Sequence, residues 1–458
     1  MSNQDTRAPA RDLGLLDATM IGMGAMIGAG IFVLTGLAAD IAGPAAILVF
    51  ALNGIVTAFT GLSYAELAAS IPKSGGGYAF VREIFEDLPS FIMGWMLWFA
   101  YMIAGALYAL GFAPNFLELL HLYGLVPAPE QVGALVVPVV GLAVPVSFAL
   151  AFVVVALFVA LNAVSTAASG SVETLFTLTK VAILLVFVAF GATSPKFSTA
   201  QFHPLFPGGG PAAILPAMGL TFIAFEGYDL ITTVTEEVEN PRENIPKAIV
   251  VSLVATVLVY LSVVTVAIGT VGAGGLASAG EAGIAHAAAA FMPTGIPVIR
   301  NGGAVIAFGA VFSTLTALNA VVIASSRVAI LASAVVMLGS VALPTEIAGD
   351  MSSLFFLLSF IVVNVAVIRL RRERPNMNRP YEIPYYPVPP IVGILLNLVL
   401  TGVLVTFLAR TDPLALELSV AWIALGGVAY YALGRVRSTP EAEPGERADL
   451  DQRTETHD

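Results

Sequence analysis

The sequence predicts an all-α polytopic membrane protein with about twelve transmembrane helices. Composition is the first reason: 58% of residues are hydrophobic, 11% are charged and the mean hydropathy is +0.90, whereas a soluble domain carries about 25% charged residues. Lipid is therefore the main solvent, and every backbone N–H and C=O has to be satisfied inside the protein, which leaves helices or closed barrels. The second reason selects helices. The apolar runs are continuous and about twenty residues long, the length a helix needs to cross hydrocarbon.

Taken in order, apolar segments separated by polar residues, proline or glycine fall at 15–39, 44–71, 88–112, 136–161, 175–191 and 211–235. Six more fall at 249–271, 302–325, 328–343, 354–368, 388–408 and 418–433. Residues 1–13 form a polar N-terminal segment. The run from Leu13 lacks a small-residue cleavage site, so it is read as a retained span rather than a signal peptide. Residues 14–433 are the transmembrane domain, and 434–458 are read as a disordered acidic tail. Its seven carboxylates (Glu441, Glu443, Glu446, Asp449, Asp451, Glu455 and Asp458) face only Arg447 and Arg453 beyond residue 438.

Orientation follows from the asymmetry of Lys and Arg around short loops. With a cytoplasmic N-terminus, seventeen of the 20 basic residues fall on the inner side, and only Lys196, Arg300 and Arg410 fall outside. An even number of spans then puts both termini in the cytoplasm of a cell whose plasma membrane holds the protein.

Composition also excludes chemistry. Without cysteine there are no disulfides, thiolate nucleophiles or cysteine-ligated metals. His121, His203, His286 and His457 are scattered without ligand spacing, so neither a metal nor a cofactor is expected. No nucleophile, base and orienting group occur at readable spacing, so an enzyme is not expected. The segment Pro72-Lys-Ser-Gly-Gly-Gly-Tyr78 lacks the Gly-Lys-Ser/Thr ending and the preceding strand of a phosphate loop. Nucleotide binding is discounted, and no nucleic-acid partner is foreseen.

Two spans are punctuated unlike lipid-facing helices. The first carries Gly22, Gly24, Gly28 and Gly30, and the sixth carries Glu226-Gly227-Tyr228-Asp229. They lie five spans apart, and interruptions at corresponding places in two halves mark the midplane site of a secondary transporter. Glycine weakens the helix, so Gly28-Ala29-Gly30 can unwind and aim free N–H groups at an anion such as a carboxylate. The competing reading is close helix packing through the Gly24/Gly28 pair. Glu226 and Asp229 share a face if helix six is intact, and burying both is costly unless they are paired, protonated or wet. Asp229 could instead tie this helix to a neighbour. In the fifth span Lys180 lies seven residues past Glu173, about 10 Å deeper at ~1.5 Å per residue. It either serves the site or snorkels back to the surface.

These residues resemble the amino acid–polyamine–organocation superfamily, and within it the cationic amino acid transporter-like permeases, over nearly the whole hydrophobic chain. The resemblance rests on Ile27-Gly-Ala-Gly-Ile-Phe32, Tyr64-Ala-Glu-Leu67 with Pro72 to Tyr78, Gly94-Trp-Met-Leu-Trp98 and Phe222-Ile-Ala-Phe-Glu-Gly-Tyr-Asp229. It extends through Glu236-Glu-Val-Glu-Asn-Pro-Arg-Glu-Asn-Ile-Pro246 and Arg379-Pro-Tyr-Glu-Ile-Pro-Tyr385. The resemblance implies a LeuT-type inverted repeat, about 14–191 against 211–369, with two extra helices at about 388–433. It implies that the N–H groups of Ala29 and Gly30, beside Gly28, hold a substrate carboxylate. The carbonyls of Met26, Ile223 and Glu226, beside Phe225 and Gly227, would receive its amino group. Lys180 matches the position of a lysine that serves proton coupling in proton-coupled relatives, and Asp229 supports the site. The implied partners are an amino acid, protons and the lipid bilayer. The oligomeric state is not implied.

One feature departs from the family. Relatives carry a polar, basic segment between spans eight and nine, and here it is missing: between Ala304 and Leu343 the only charge is Arg327. A continuous helix of forty residues would reach ~60 Å, two hydrocarbon thicknesses, so a very tight hairpin near Ser325, Ser326 and Arg327 is the alternative. Three functions stay open: proton-coupled symport of a small amino acid by alternating access, amino acid exchange, and a non-transporting sensor or inactive relative. The identity of the amino acid is not readable, because Glu226 is expected beside the amino group rather than in a side-chain pocket.

Overall fold

The computed structural model describes residues 11–128, 131–132, 135–139, 142–164, 170–206, 210–292 and 302–437. The N-terminal segment up to residue 10, Arg300, the acidic tail from residue 438 and the side chains of Ser325, Ser326 and Arg327 lie outside them. The helices are α1 (Leu15–Met26), α2 (Ala29–Ala42), α3 (Ala46–Ser70), α4 (Gly76–Ile84) and α5 (Asp87–Leu122). After them come α6 (Val146–Val164), α7 (Gly170–Ala192), α8 (Ile214–Thr221), α9 (Pro241–Ser278) and α10 (Gly283–Phe291). The last four are α11 (Gly302–Ser340), α12 (Thr345–Glu373), α13 (Val388–Thr411) and α14 (Pro413–Arg437). Among the described residues, nine segments are long and apolar enough to cross a membrane, and Val146–Asn162 is a shorter apolar helix. The chain is a multi-pass α-helical membrane protein.

One expectation about the spans needs adjustment, and a second, the tight hairpin between spans eight and nine, is met. The fourth was expected from residue 136, but Val136–Val139 and Leu142–Pro145 pair as short antiparallel strands, β1 and β2, and helix begins only at Val146. Pro138 and Pro145 explain this, because proline lacks an N–H and breaks the helical ladder.

The second concerns spans eight and nine, which both lie in α11, where helical backbone runs through 39 residues. It cannot be one straight rod. Val321 and Met337 would lie about 24 Å apart along such a rod, yet a Cβ on Gly105 would meet Met337 Cε at 2.7 Å and Val321 Cγ2 at 3.2 Å. Trp98 likewise lies beside Ile323, with which it walls one cavity, and donates to Ser333 Oγ at 2.9 Å. The backbone therefore turns back between Ile323 and Ser333, and α11 is a helical hairpin whose arms both lie along α5. Its far end returns to the same side of the bundle as the outer end of α5. There Thr345 and Asn115 both bond Glu281, at 3.0 and 3.1 Å.

The opposite end of the bundle is the basic one, and it is tied by a buried ion cluster. Glu66, fully buried at the end of α3, accepts from Arg371 Nε and Nη2 at 2.7 Å each and from the Ile383 N–H at 2.7 Å. Arg379 Nε lies 3.8 Å away, and the Arg371 guanidinium covers the Tyr386 ring at 4.0 Å. Two motifs 300 residues apart in the sequence thus meet in one knot. Nearby, outside the spans, the Lys73 ammonium bonds Glu83 at 2.7 Å and holds its carboxyl below the ordinary range. Burial pushes the Tyr381 hydroxyl up.

All 3 tryptophans of the chain collect where α5 meets α14. Trp95 stacks on Trp422 with centroids 4.8 Å apart, Phe99 stacks on the other face at 4.2 Å, and Trp98 leans on both at 5.4 and 6.0 Å.

Candidate functional site

The two interrupted spans break where the glycines predict. Helix α1 ends at Met26, Ile27 and Gly28 leave helical geometry, and α2 starts at Ala29 without a side-chain cap. The first N–H groups of α2 therefore lack intrahelical partners. In span six, α8 gives way to a tight 3-10 turn at Phe222–Phe225. Glu226 is extended and Gly227 sits at φ +132°, a conformation that favours glycine.

The breaks pack backbone against backbone. A Cβ on Gly30 would meet Ala224 Cα at 2.6 Å, and one on Gly227 would meet Met26 N at 2.7 Å. Hydroxyl groups from neighbouring helices satisfy much of the freed backbone. Tyr260 donates to Met26 O and, at 2.9 Å, to Ala224 O. Ser313 donates to Ile27 O and, at 3.2 Å, to Gly28 O, while Ser353 accepts from Ile223 N at 3.2 Å. Two of the three carbonyls expected to receive an amino group are thus engaged internally: Met26 O by Tyr260 and the Gly28 N–H, and Ile223 O by the Glu226 N–H.

Lys180 is 1% exposed and does not reach the surface. Its Nζ donates to Gly24 O at 2.8 Å and to Thr316 Oγ1 at 2.9 Å, so it bridges the interrupted first span to α11. Thr316 in turn donates to Ser313 O at 3.0 Å.

The two acids of span six do not share a helix face, because the helix is broken between them. Asp229 folds back: its Oδ1 accepts from the Gly227 N–H at 3.0 Å, and its Oδ2 accepts from the Tyr101 hydroxyl. Glu226 points elsewhere. It lines a cavity of about 10 Å³, room for one water at most, shared with Ala25, Ala104, Tyr108, Ala317 and Phe356. Phe225 is not part of this wall and packs on Phe50 and Tyr260, with centroids at 6.0 and 5.3 Å.

A second space of about 680 Å³ opens toward the basic end between spans one, three, six and eight, with Ile21, Gly76, Trp98, Glu173 and Thr233 on its walls. Tyr101, Leu230 and Ala320 line both spaces and form the partition between them. Tyr101 of that partition is the residue that bonds Asp229, which itself lines neither space. The arrangement is a very small space at the helix breaks, with a wide vestibule on one side.

Sequence reasoning did not single out Tyr101, Tyr108, Tyr260, Ser313, Thr316 or Phe356. A weak signal existed for some of them. Ser313, Thr314 and Thr316 cluster in an otherwise apolar span, and Tyr260 is the only aromatic residue between 249 and 271.

Comparison with known proteins gives one consistent result. A family profile described as "Amino acid permease" matches residues 13–333. The branched-chain amino acid permease BcaP of Bacillus subtilis (strain 168) is 29% identical, over 93% of this chain and 94% of its own. The methylthioribose transporter of the same organism is 30% identical over 94% and 95%. Cationic amino acid transporter 4 of Homo sapiens is 30% identical over 55% of this chain and 40% of its own.

Proposed function

The chain belongs to the amino acid permease family, and we propose on that footing that it carries a small amino acid across the plasma membrane together with a proton. The observation that carries this reading is the meeting of the two broken spans around a closed site, with the buried Lys180 bonded to the first of them. Spans one to five and six to ten would form inverted repeats. Rocking of one bundle against the other would open the site to each side in turn.

The basic end faces the cytoplasm in this reading, as the distribution of Lys and Arg favours, and both termini lie there. The vestibule is then the cytoplasmic path. The Ala29 and Gly30 N–H groups at the start of α2 receive the substrate carboxylate, as a helix N-terminus favours an anion. The carbonyls of Met26, Ile223 and Glu226 receive the ammonium: Ile223 O, bonded once, keeps a second lone pair for it, whereas Met26 O, bonded by both Tyr260 and the Gly28 N–H, has to give up one of those partners on loading. Loading widens the site from the closed state, and breaking the Tyr101–Asp229 bond opens it to the vestibule.

Lys180 carries the proton. Protonated, its ammonium bonds Gly24 O and Thr316. When the cytoplasmic path wets the site, the proton leaves to water and the lysine returns neutral. Lysine can make this exchange, whereas arginine stays protonated in proteins.

The test is uptake by proteoliposomes against an imposed pH gradient, beside equilibrium counterflow, in wild type and in Lys180→Gln. The expected result is that the variant keeps counterflow and loses gradient-driven accumulation. Undiminished accumulation in the variant would remove the lysine from the coupling. Counterflow without any gradient-driven accumulation in wild type would indicate exchange, and binding without counterflow would indicate a sensor.

A further inference from the structure

Glu226 is the charged side chain that the transport scheme leaves idle. Only its carbonyl has a task there, yet the residue lines the small cavity between the two breaks. The residue is 3% exposed, and both carboxyl oxygens are buried without a hydrogen-bond partner among the described residues.

The groups around it do not compensate a negative charge. From its own segment it faces Asp229, a second acid already bonded by Tyr101 and by the Gly227 N–H. From α5, Tyr101 and Tyr108 line the same cavity, the Tyr101 hydroxyl being already bonded to Asp229, and Ala317 and Phe356 join the wall from α11 and α12. Lys180 spends its bonds on Gly24 O and Thr316 Oγ1. A carboxylate isolated in this way inside a membrane protein is costly, and such a group neutralises by taking a proton. Water that reaches the cavity when it opens removes that constraint.

We propose that Glu226 is a second proton site, so that each cycle moves two protons with the substrate, one on Lys180 and one on Glu226. This inference rests on the symport reading. Open to the outside, the wet carboxylate takes a proton from hydronium and forms an O–H bond. Occlusion keeps the neutral acid, since none of the described residues pairs with the anion and the substrate ammonium is taken up by main-chain carbonyls. Opening through the Tyr101–Asp229 partition wets the group again. The O–H bond then breaks, and the proton leaves to water in the cytoplasmic vestibule.

The test is thermodynamic. With the membrane potential clamped at zero, each coupled proton contributes about tenfold to the equilibrium accumulation ratio per unit of pH gradient. Wild-type proteoliposomes should therefore accumulate substrate by about a hundredfold per pH unit, and Glu226→Gln by about tenfold. Glu226→Gln is isosteric and uncharged and keeps the main-chain carbonyl; an equilibrium ratio does not depend on rate, so the variant needs only measurable counterflow, at whatever rate, for its ratio to be read. If counterflow is lost, Glu226→Asp replaces it as the variant: this keeps a carboxyl and should retain the hundredfold dependence at a lower rate.

A tenfold dependence that is the same in wild type and Glu226→Gln overturns the second site while leaving one-proton symport standing. A tenfold dependence abolished by Glu226→Gln supports a proton on Glu226 and moves the failure to Lys180. No dependence on the gradient in wild type overturns symport and this inference together.

Discussion

The close approach of spans one and six at Gly30 offers a sharp test of the packing at the breaks. Gly30→Ala adds one methyl carbon, which would sit 2.5 Å from Ala224 Cβ and 2.6 Å from Ala224 Cα. Carbon atoms rest at about 3.5–4.0 Å, so spans one and six must part by about 1 Å. Span six cannot slip aside cheaply, because the Ile223 N–H and the Ala224 carbonyl are held by Ser353 and Tyr260. Overpacking of this kind costs about 1–3 kcal/mol, against the gain of up to ~1 kcal/mol that alanine brings to an ordinary helix position. Gly402→Ala in α13 is the control, since a Cβ there meets nothing within 4 Å. The two variants should therefore shift the unfolding midpoint in detergent in opposite directions, and only Gly30→Ala should abolish stabilisation by a bound amino acid. The bulkier Gly30→Val should abolish it as well. A Gly30→Ala protein as stable as Gly402→Ala, and still stabilised by the ligand, would refute the close packing of the breaks and move the site elsewhere.

Removing Glu66 should be among the most damaging single changes at the basic end. Glu66→Ala leaves the Arg371 pair and the Ile383 N–H without their buried acceptor, for an expected loss of about 3–5 kcal/mol in an SDS unfolding titration. A loss below about 1 kcal/mol would make the cluster marginal. A polar linker inserted after Ser326 should leave yield and thermal midpoint unchanged, because the two arms of α11 already reach their places on α5; a clear gain would reveal strain in the turn. Cysteines introduced as Ser2→Cys and Thr456→Cys, into a chain that has none, should react with an impermeant reagent only from the cytoplasmic side, and labelling of either from outside would reverse the orientation or change the span count.

What the sequence made legible was whatever depends on local backbone chemistry. Apolar length marked the spans, and the glycines at 28, 30 and 227 marked where two of them break. The fourth span began later than expected because a hydropathy reading does not weigh Pro138 and Pro145 against the apolar residues around them. The acids of span six could not be assigned separately, because whether Glu226 and Asp229 share a face depends on the backbone angles at Gly227. Nor could any pattern show that Tyr260 and Ser313 would satisfy the carbonyls at the breaks, since three of those four contacts join residues more than two hundred positions apart. Glu66 was visible only as a member of one motif, and Arg371 only as one of the seventeen basic residues assigned to the inner side. Their pairing is a property of how α3 and α12 end side by side.

The gathering of the tryptophans has an optical consequence. Trp95 and Trp98 wall the vestibule, and Trp422 stacks on the first of them. The ultraviolet emission of the whole chain therefore originates at one seam. Transfer of excitation among three indoles in contact is efficient, so quenching any one of them dims all three. Wild-type protein thus carries its own fluorophore on the wall of the path through which substrate would leave, and an unlabelled stopped-flow trace should follow the opening and closing of that path in real time. Because both Trp95 and Trp98 line that wall, substitution of the two together should remove the response and leave the emission of Trp422 behind them.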